Sequence, residues 1–482
     1  MAIRIFNTLS RQKEEFKPLH EETVTMYSCG PTVYNYVHIG NARTFVMADV
    51  IRRYLEYTGY KVKFVMNVTD IDDKIINKAK ESGLEASEVA QLYAEAFFED
   101  IAQLGIHLPD AAPRVVDHIE DITNLIQTLI LKGFAYESHG SVYYNVGKFP
   151  GYGKLSGKNI DDLIAGARVD VDETKRNPLD FALWKAAKPG EPAWSSIWGP
   201  GRPGWHIECS AMAMNLLGDQ IDIHCGGSDL IFPHHENEIA QSEAATGHPF
   251  VRYWMHFGFL NVNNEKMSKS AGNFWLLRDV LKQYRPEAIR LFFLQKHYAS
   301  PLNYSEETIN DAVNAHKRIE TIFLKVQQAL ELKENLGGSL GGDTVTSDAE
   351  KFAKDLDRLE REVIEAMNDD FNTAAAMGKI FEVFNGLNKI ATPKTLNDFS
   401  VYIMKRARDL ILEWNEFLGF LNISKPETAS KKYEQLMQII LDVRKELRNN
   451  KIWSLSDMIR DRLLDAGIVI EDTPEGTTWK MK

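Results

Sequence analysis

The sequence predicts an α/β protein: a Rossmann-like parallel-sheet domain split by an insertion, then a helical bundle and a small C-terminal domain. Three observations carry this. A strand–helix–strand pattern near the N-terminus is followed, after residue 200, by a second set of α/β elements. A Gly/Pro/Trp-rich stretch separates the two. After Lys296 the strand signals fade and amphipathic helices take over. Strands joined by crossover helices are the signature of a parallel sheet.

In the first half of the sheet domain (1–110), Val24 and Met26 alternate with polar neighbours up to Cys29, a strand entering a turn at Gly30-Pro31. A helix is expected over 41–57, where Phe45/Val46, Val50 and Tyr54 recur at helical spacing, and Gly59 stops it. A strand follows over 61–68. The insertion (111–200) should hold a helix over 117–132, a short strand over 141–146, and the run through Trp194 and Trp198. The second half (201–262) reads as helix 209–217, strand 220–224 and helix 233–245. A loop-bearing connector (263–304) leads to the bundle (305–423), with helices over 305–332, 349–389 and 402–418. Gly337-Gly338 and Gly341-Gly342 mark a linker inside it. The tail (424–482) has eleven basic against ten acidic residues, so the acidity lies elsewhere. No internal repeat is evident.

With 482 residues, 44% hydrophobic and 26% charged, the composition is that of a folded protein of roughly three domains. The net charge of −12 argues against a sequence-blind nucleic-acid coat, although a local basic face remains open. No stretch approaches the ~20 apolar residues that span a bilayer, and Met1-Ala2-Ile3-Arg4 does not open a signal peptide. Three cysteines, Cys29, Cys209 and Cys225, cannot build a disulfide framework, so a reducing cytoplasm is expected. They are either core residues or metal ligands.

His38-Ile39-Gly40-Asn41 falls between a strand and a helix N-terminus, where unpaired N–H groups and the helix dipole favour an anion. Gly40 would let a ligand approach the backbone, and His38 and Asn41 would add donors. The plainer alternative is Asn41 as an N-cap and His38 as a turn residue. Lys266-Met267-Ser268-Lys269-Ser270, followed by Gly272-Asn273, supplies two lysines three apart in a loop that can close on polyphosphate. Either motif alone is weak; together they give a phosphate-holding helix end and a second source of positive charge.

This pair resembles the signature motifs of class I aminoacyl-tRNA synthetases. Tyr27-Ser28-Cys29-Gly30-Pro31-Thr32-Val33-Tyr34, Gly204-Trp205-His206-Ile207-Glu208-Cys209-Ser210 and Phe232-Pro233-His234-His235-Glu236-Asn237-Glu238 resemble the cysteinyl branch of that family. Asp369-Asp370-Phe371-Asn372-Thr373 extends the resemblance into the helices. The resemblance implies an ATP- and Mg²⁺-using ligase that activates L-cysteine and transfers it to tRNA(Cys), with 263–304 contacting the tRNA stem. It implies phosphate binding by His38, Gly40 and Asn41, with Lys269, helped by Lys266, stabilising the transition state. A monomer is expected.

Zinc is the further expectation. His234 and Glu238 lie four apart on an expected helix and share a face. Spacing alone cannot choose Cys29 and Cys209 over Cys225 and His224 as their partners. The family resemblance does choose, implying Cys29, Cys209, His234 and Glu238. The order of residues in 234–238 lacks the HExxH pattern of a hydrolytic zinc site. Zinc also suits the task, since pockets separate near-isosteres such as serine and cysteine poorly, whereas Zn²⁺ prefers a soft thiolate. The insertion looks too short for an editing domain with its own core. Asp229 could pair with the substrate ammonium, Trp205 pack on the amino acid, and Thr69 reach it; each has an ordinary structural reading too. Some of His206, His224, His235 and His256 could touch ATP. A cysteine ligase that passes the adenylate to a small amine, as in mycothiol synthesis, is the alternative, and a non-catalytic zinc protein that binds RNA is the third.

Overall fold

A computed structural model describes residues 2–159, 174–263, 265–266, 274–335, 345–392, 395–422, 427–465, 468–473 and 476–481. The chain divides into two compact units, Met1–Leu421 and Asn422–Lys482.

The first unit opens on an antiparallel hairpin that periodicity does not announce, β1 (Arg4–Asn7) with β2 (Gln12–Glu15). Then come β3 (Thr23–Ser28), α1 (Ile39–Tyr57), β4 (Lys61–Met66), α2 (Asp73–Ser82) and α3 (Ala86–Gln103). After α4 (Ile119–Leu131), an antiparallel sheet forms in the order β5 (Ala135–Ser138), β6 (Ser141–Tyr144), β7 (Phe181–Ala186), β8 (Gly201–Pro203). The α/β pattern resumes with α5 (Trp205–Leu217), β9 (Ile221–Gly227), α6 (Glu236–Thr246) and β10 (Val251–Phe257).

The parallel sheet runs β10-β9-β3-β4. Strands from before and after the insertion meet at its centre, with Met26 opposite Ile223 and Ser28 opposite Cys225. From β3 the chain crosses through α1 to β4 on one side, while β9 and β10 extend the other. That reversal makes the carboxyl ends of β3 and β9 a topological switch point, where open α/β sheets form their ligand crevice.

A small sheet follows, β12 (Glu265–Lys266), β11 (Leu260–Val262) and β13 (Leu302–Tyr304), with α7 (Leu277–Gln283) and α8 (Pro286–Leu294) between its last two strands in sequence. The bundle is α9 (Glu306–Asn335), α10 (Ser347–Asn368), α11 (Thr373–Ile390) and α12 (Asp398–Leu418). Its apolar faces join α1 and the parallel sheet in one core, and the antiparallel sheet shares a second core with α5 and α6. The second unit comprises α13 (Glu427–Asn449), α14 (Trp453–Asp465) and the hairpin of β14 (Ile468–Thr473) and β15 (Gly476–Met481). Among the described residues no helix is long and apolar enough to cross a membrane.

Four expectations are corrected. The helix expected over 349–389 is two helices, broken where Asp370 and Phe371 take positive φ (68° and 49°). Strands do occur after Lys296, at β13 and in the tail hairpin. Cys209 does not open its helix; Trp205 does, which places Cys209 in the second turn. The helix expected from 233 is preceded by a kink, where Phe232 is extended (φ −140°, ψ 131°) within Ile231–His235, and α6 itself starts at Glu236.

Candidate active site and metal centre

A cavity of about 310 Å³ opens at the switch point. Cys29 after β3 and Gly227 at the end of β9 line it, together with His38, Asn41, Thr69, Trp205, Cys209, Asp229 and His234. Eight residues singled out from the sequence therefore face one space. Gly30 lets the chain turn there, because a Cβ at that position would collide with the carbonyl oxygen of Asn67.

At the helix end, His38 rather than Asn41 is the N-cap. His38 Nδ1 accepts from the Asn41 N–H at 3.2 Å, and the Asn41 side-chain oxygen accepts from the His38 N–H at 3.4 Å. This is a reciprocal capping box built from unusual residue types. Gly40 serves it, since a Cβ there would press on the His38 ring at 2.9 Å. The same end is tied to residues 274–277, which follow the lysine motif in sequence. Ile39 N–H donates to Trp275 O at 3.0 Å, Leu277 N–H to Val37 O at 2.9 Å, and Phe274 meets the His38 ring edge-on. Lys266 falls in β12; Lys269 lies outside the described residues.

Behind the cavity, Cys29, Cys209, His234 and Glu238 are all buried, and their donor atoms lie within 4.8 Å of one another. Cys29 Sγ is 3.8 Å from Cys209 Sγ and 3.7 Å from Glu238 Oε1, and His234 Nε2 is 3.0 Å from that same oxygen. A tetrahedral Zn²⁺ with bonds near 2.3 Å to sulfur and 2.0 Å to nitrogen or oxygen requires edges of ~3.8 and ~3.3 Å. The donor set fits a metal of that size.

Its charges fit as well. Hydrogen bonding from Cys29, against the opposing effect of burial, draws the Cys209 thiol down to about 6. Burial, helped by Cys209, pushes the Cys29 thiol up. Burial opposes ionisation of Glu238, but His224 and His234 override it and hold its carboxyl well below the usual range. Burial likewise opposes charge on His234, and Glu238 with Cys209 overrides it, lifting the imidazole to about 10. Anionic donors thus crowd a buried pocket, with a histidine proton in part standing where a cation would neutralise them.

A second set overlaps the first: Cys29, His224, His235 and Glu238. His224 Nε2 lies 2.8 Å from Glu238 Oε2, and His235 Nε2 3.4 Å from Cys29 Sγ. Neither histidine lines the cavity, whereas Cys29, Cys209 and His234 do. His235 leads on to His256 (2.8 Å) and so to Thr8, while burial pushes both imidazoles far down. His206 Nδ1 sits 3.0 Å from His234 Nδ1. Cys225 is the buried strand residue of the plainer reading, its thiol pointing to Tyr27 O at 3.6 Å.

Trp205 stacks on His234 with ring centroids 4.5 Å apart and stays 38% exposed, so it belongs to the cavity wall rather than the core. Thr69 is buried and hydrogen-bonded to Glu208 and Asn67. Asp229 follows β9 in a 3-10 turn. Sequence reading missed Lys74, at the start of α2, which lines the cavity over the Tyr34 ring at 5.4 Å. Its only signal was its place just after the 67–73 turn.

Residues 15–314 match the family model for the class I (C) tRNA synthetase catalytic domain, and 362–422 match the DALR domain. Among solved structures, Mycobacterium tuberculosis methionyl-tRNA synthetase in complex with methionyl-adenylate shares the fold at 16% identity. It aligns with TM-score 0.64, covering 85% of this chain and 93% of that one. A LeuRS–tRNA–LeuAMS ternary complex from Agrobacterium radiobacter aligns at 12% identity and TM-score 0.59, covering 84% and 85%. The fold and the matched catalytic domain are those of a class I aminoacyl-tRNA synthetase. The chain is 51% identical over 480 residues to the cysteine–tRNA ligase of Thermococcus gammatolerans (100% of this chain, 99% of that one). It is 49% identical over 480 residues to that of Bacillus cereus (100% of both). Within the class, the chain belongs to the cysteine–tRNA ligase family.

Proposed function

We propose that this ligase joins L-cysteine to tRNA(Cys) through a cysteinyl-adenylate and selects cysteine through zinc held by Cys29, Cys209, His234 and Glu238. The observation that carries the reading is that three of these donors line the same cavity as His38 and Asn41 at the N-terminus of α1. When bound, zinc would supply a soft Lewis-acid partner for the substrate sulfur, which the hydroxyl of serine matches poorly.

The cysteine carboxylate attacks the α-phosphorus of Mg²⁺-bound ATP; a carboxyl–phosphate bond forms and pyrophosphate leaves. A ribose hydroxyl of the tRNA 3'-terminal adenosine then attacks the activated carbonyl and releases AMP. The protein's task is to orient these groups and stabilise charge. The α1 end and Asn41 hold phosphate, His38 fixes that end, and Lys269 with Lys266 offsets the charge that develops. Asp229 pairs with the substrate ammonium, Thr69 borders the amino acid, and Trp205 closes the wall beside it.

Residues 1–110 and 201–262 form the catalytic halves, 111–200 connects them, and 263–304 meets the acceptor stem. The bundle, 305–423, supports the tRNA. The tail, 424–482, reads the anticodon by stacking bases on aromatics such as Trp453, which is 54% exposed, or Trp479. The test is to incubate the purified protein with labelled cysteine, ATP and bulk tRNA. Label should become acid-precipitable; label transferred instead to a small amine would replace the acceptor.

A further inference from the structure

Arg43 lies two residues beyond Asn41 on α1 and is 1% exposed. Its guanidinium is met by backbone carbonyls of two segments. Nη1 donates to Gly258 O (2.8 Å) and Phe259 O (3.2 Å). Nη2 donates to His297 O (3.1 Å), Tyr298 O (3.4 Å) and Ser300 O (2.7 Å). Gly258 and Phe259 lead into β11, and 297–300 leads into β13. These strands pair with each other, and β11 pairs with β12, which carries Lys266. One buried side chain thus ties the helix capped by His38 to the small sheet whose strand β12 carries Lys266.

The 297–300 segment is held from its other side by the break between α10 and α11. Tyr298 OH donates to Asp370 Oδ1 at 2.6 Å, and His297 Nε2 lies 3.4 Å from Asp370 Oδ2 and 3.1 Å from its carbonyl oxygen. Phe6 N–H adds a bond to Oδ1 at 2.8 Å, and Asp370 N–H donates to Arg4 O at 2.9 Å. Tyr298 and His297 each offer a carbonyl to Arg43 and a side chain to Asp370. Asp370 is 4% exposed and, with Phe371, non-glycine at positive φ, a backbone state that persists only where the surroundings hold it.

We infer that Asp370 is a positioning residue for adenylate formation: through Tyr298, His297 and Arg43 it sets the His38–Asn41 helix end against the strands that carry Lys266. It belongs to the segment matching the DALR domain, so the helical region reaches the phosphate end of the cavity through two layers of hydrogen bonds. This rests on the reaction proposed above for what the helix end does, though not for where it sits.

The test uses the full chain with Tyr298→Phe, which removes only the hydroxyl, Asp370→Asn, Arg43→Lys and the Arg43→Lys/Asp370→Asn double variant. Amide hydrogen exchange over 39–44 should quicken in each single variant while α4 stays as in the parent. The kcat of cysteine-dependent ATP–pyrophosphate exchange should fall about 10- to 100-fold, with KM for cysteine and bound zinc unchanged. The double variant should lose little more than the worse single one, as groups acting in series do. Unaltered amide exchange over 39–44 in Tyr298→Phe and Asp370→Asn, or losses that multiply in the double variant, would overturn the inference. A parent protein that exchanges no pyrophosphate would instead contradict the reaction, with the amide rates still judging the positioning.

Discussion

Glu238 has both oxygens committed, Oε1 toward His234 and Cys29, Oε2 toward His224. His224 therefore orients a carboxylate of the proposed zinc site without facing the cavity, and partners of that kind govern metal affinity. His224→Ala should weaken zinc binding by about 10- to 100-fold, measured by competition with a chelator; unchanged affinity would free Glu238 from that constraint. Lys269→Ala should slow ATP–pyrophosphate exchange by about 10²- to 10³-fold while equilibrium binding of cysteine stays near the parent value. A normal exchange rate would remove the lysine from the chemistry. Which residues gather at the cavity was largely legible in the sequence, and their partnerships were not. Spacing left Cys225 and His224 level with Cys29 and Cys209 as ligands, and only family resemblance separated them. The reason is the strand: neighbours 224 and 225 on β9 point to opposite faces, one to Glu238 and the other to Tyr27 O.

Among elements, α1 shows how a motif can be placed from the sequence while its local geometry goes unread. Gly40 was expected to admit a ligand; its hydrogen also makes room for the His38 ring that caps the helix. Gly40→Ala should displace that ring, costing about 1 kcal/mol as lost caps do. It should lower kcat for exchange more than it raises KM for cysteine, as steady-state kinetics would show. Equal activity in the alanine variant would return His38 to an ordinary turn role. The strand–helix–strand order was legible because long, periodic elements announce themselves. The break at Asp370–Phe371 was not, because neither glycine nor proline marks it and its positive φ values are held by contacts from β1 and Tyr298. The three-residue β13 and the tail hairpin were likewise too short or too polar to register.

At the scale of the molecule, the expected domains prove less separate in the first unit than their order along the chain suggests. Asp49 of α1 pairs with Arg53 and with Arg290 of α8, at 2.9 Å each, and Arg290 reaches the carbonyl of Leu418 at the end of α12. With α1, the parallel sheet and the bundle sharing one core, the bundle cannot be removed without exposing the catalytic half. The second unit can be cut at the junction between the two compact units. A chain ending at residue 422 should keep cysteine-dependent pyrophosphate exchange within about twofold, since uniform loss of acceptor binding leaves activation untouched. Its charging of tRNA should fall sharply, and an undiminished charging rate would assign the tail no part in acceptor recognition.

The most direct measurement replaces the metal with Co²⁺ and follows the absorption of sulfur-to-metal charge transfer as amino acid is added. Cysteine should intensify that band and serine should leave it unchanged, because only a third sulfur joining Cys29 and Cys209 adds to it. A spectrum indifferent to cysteine, in a protein that still activates cysteine in preference to serine, would contradict recognition of the substrate thiol by the metal.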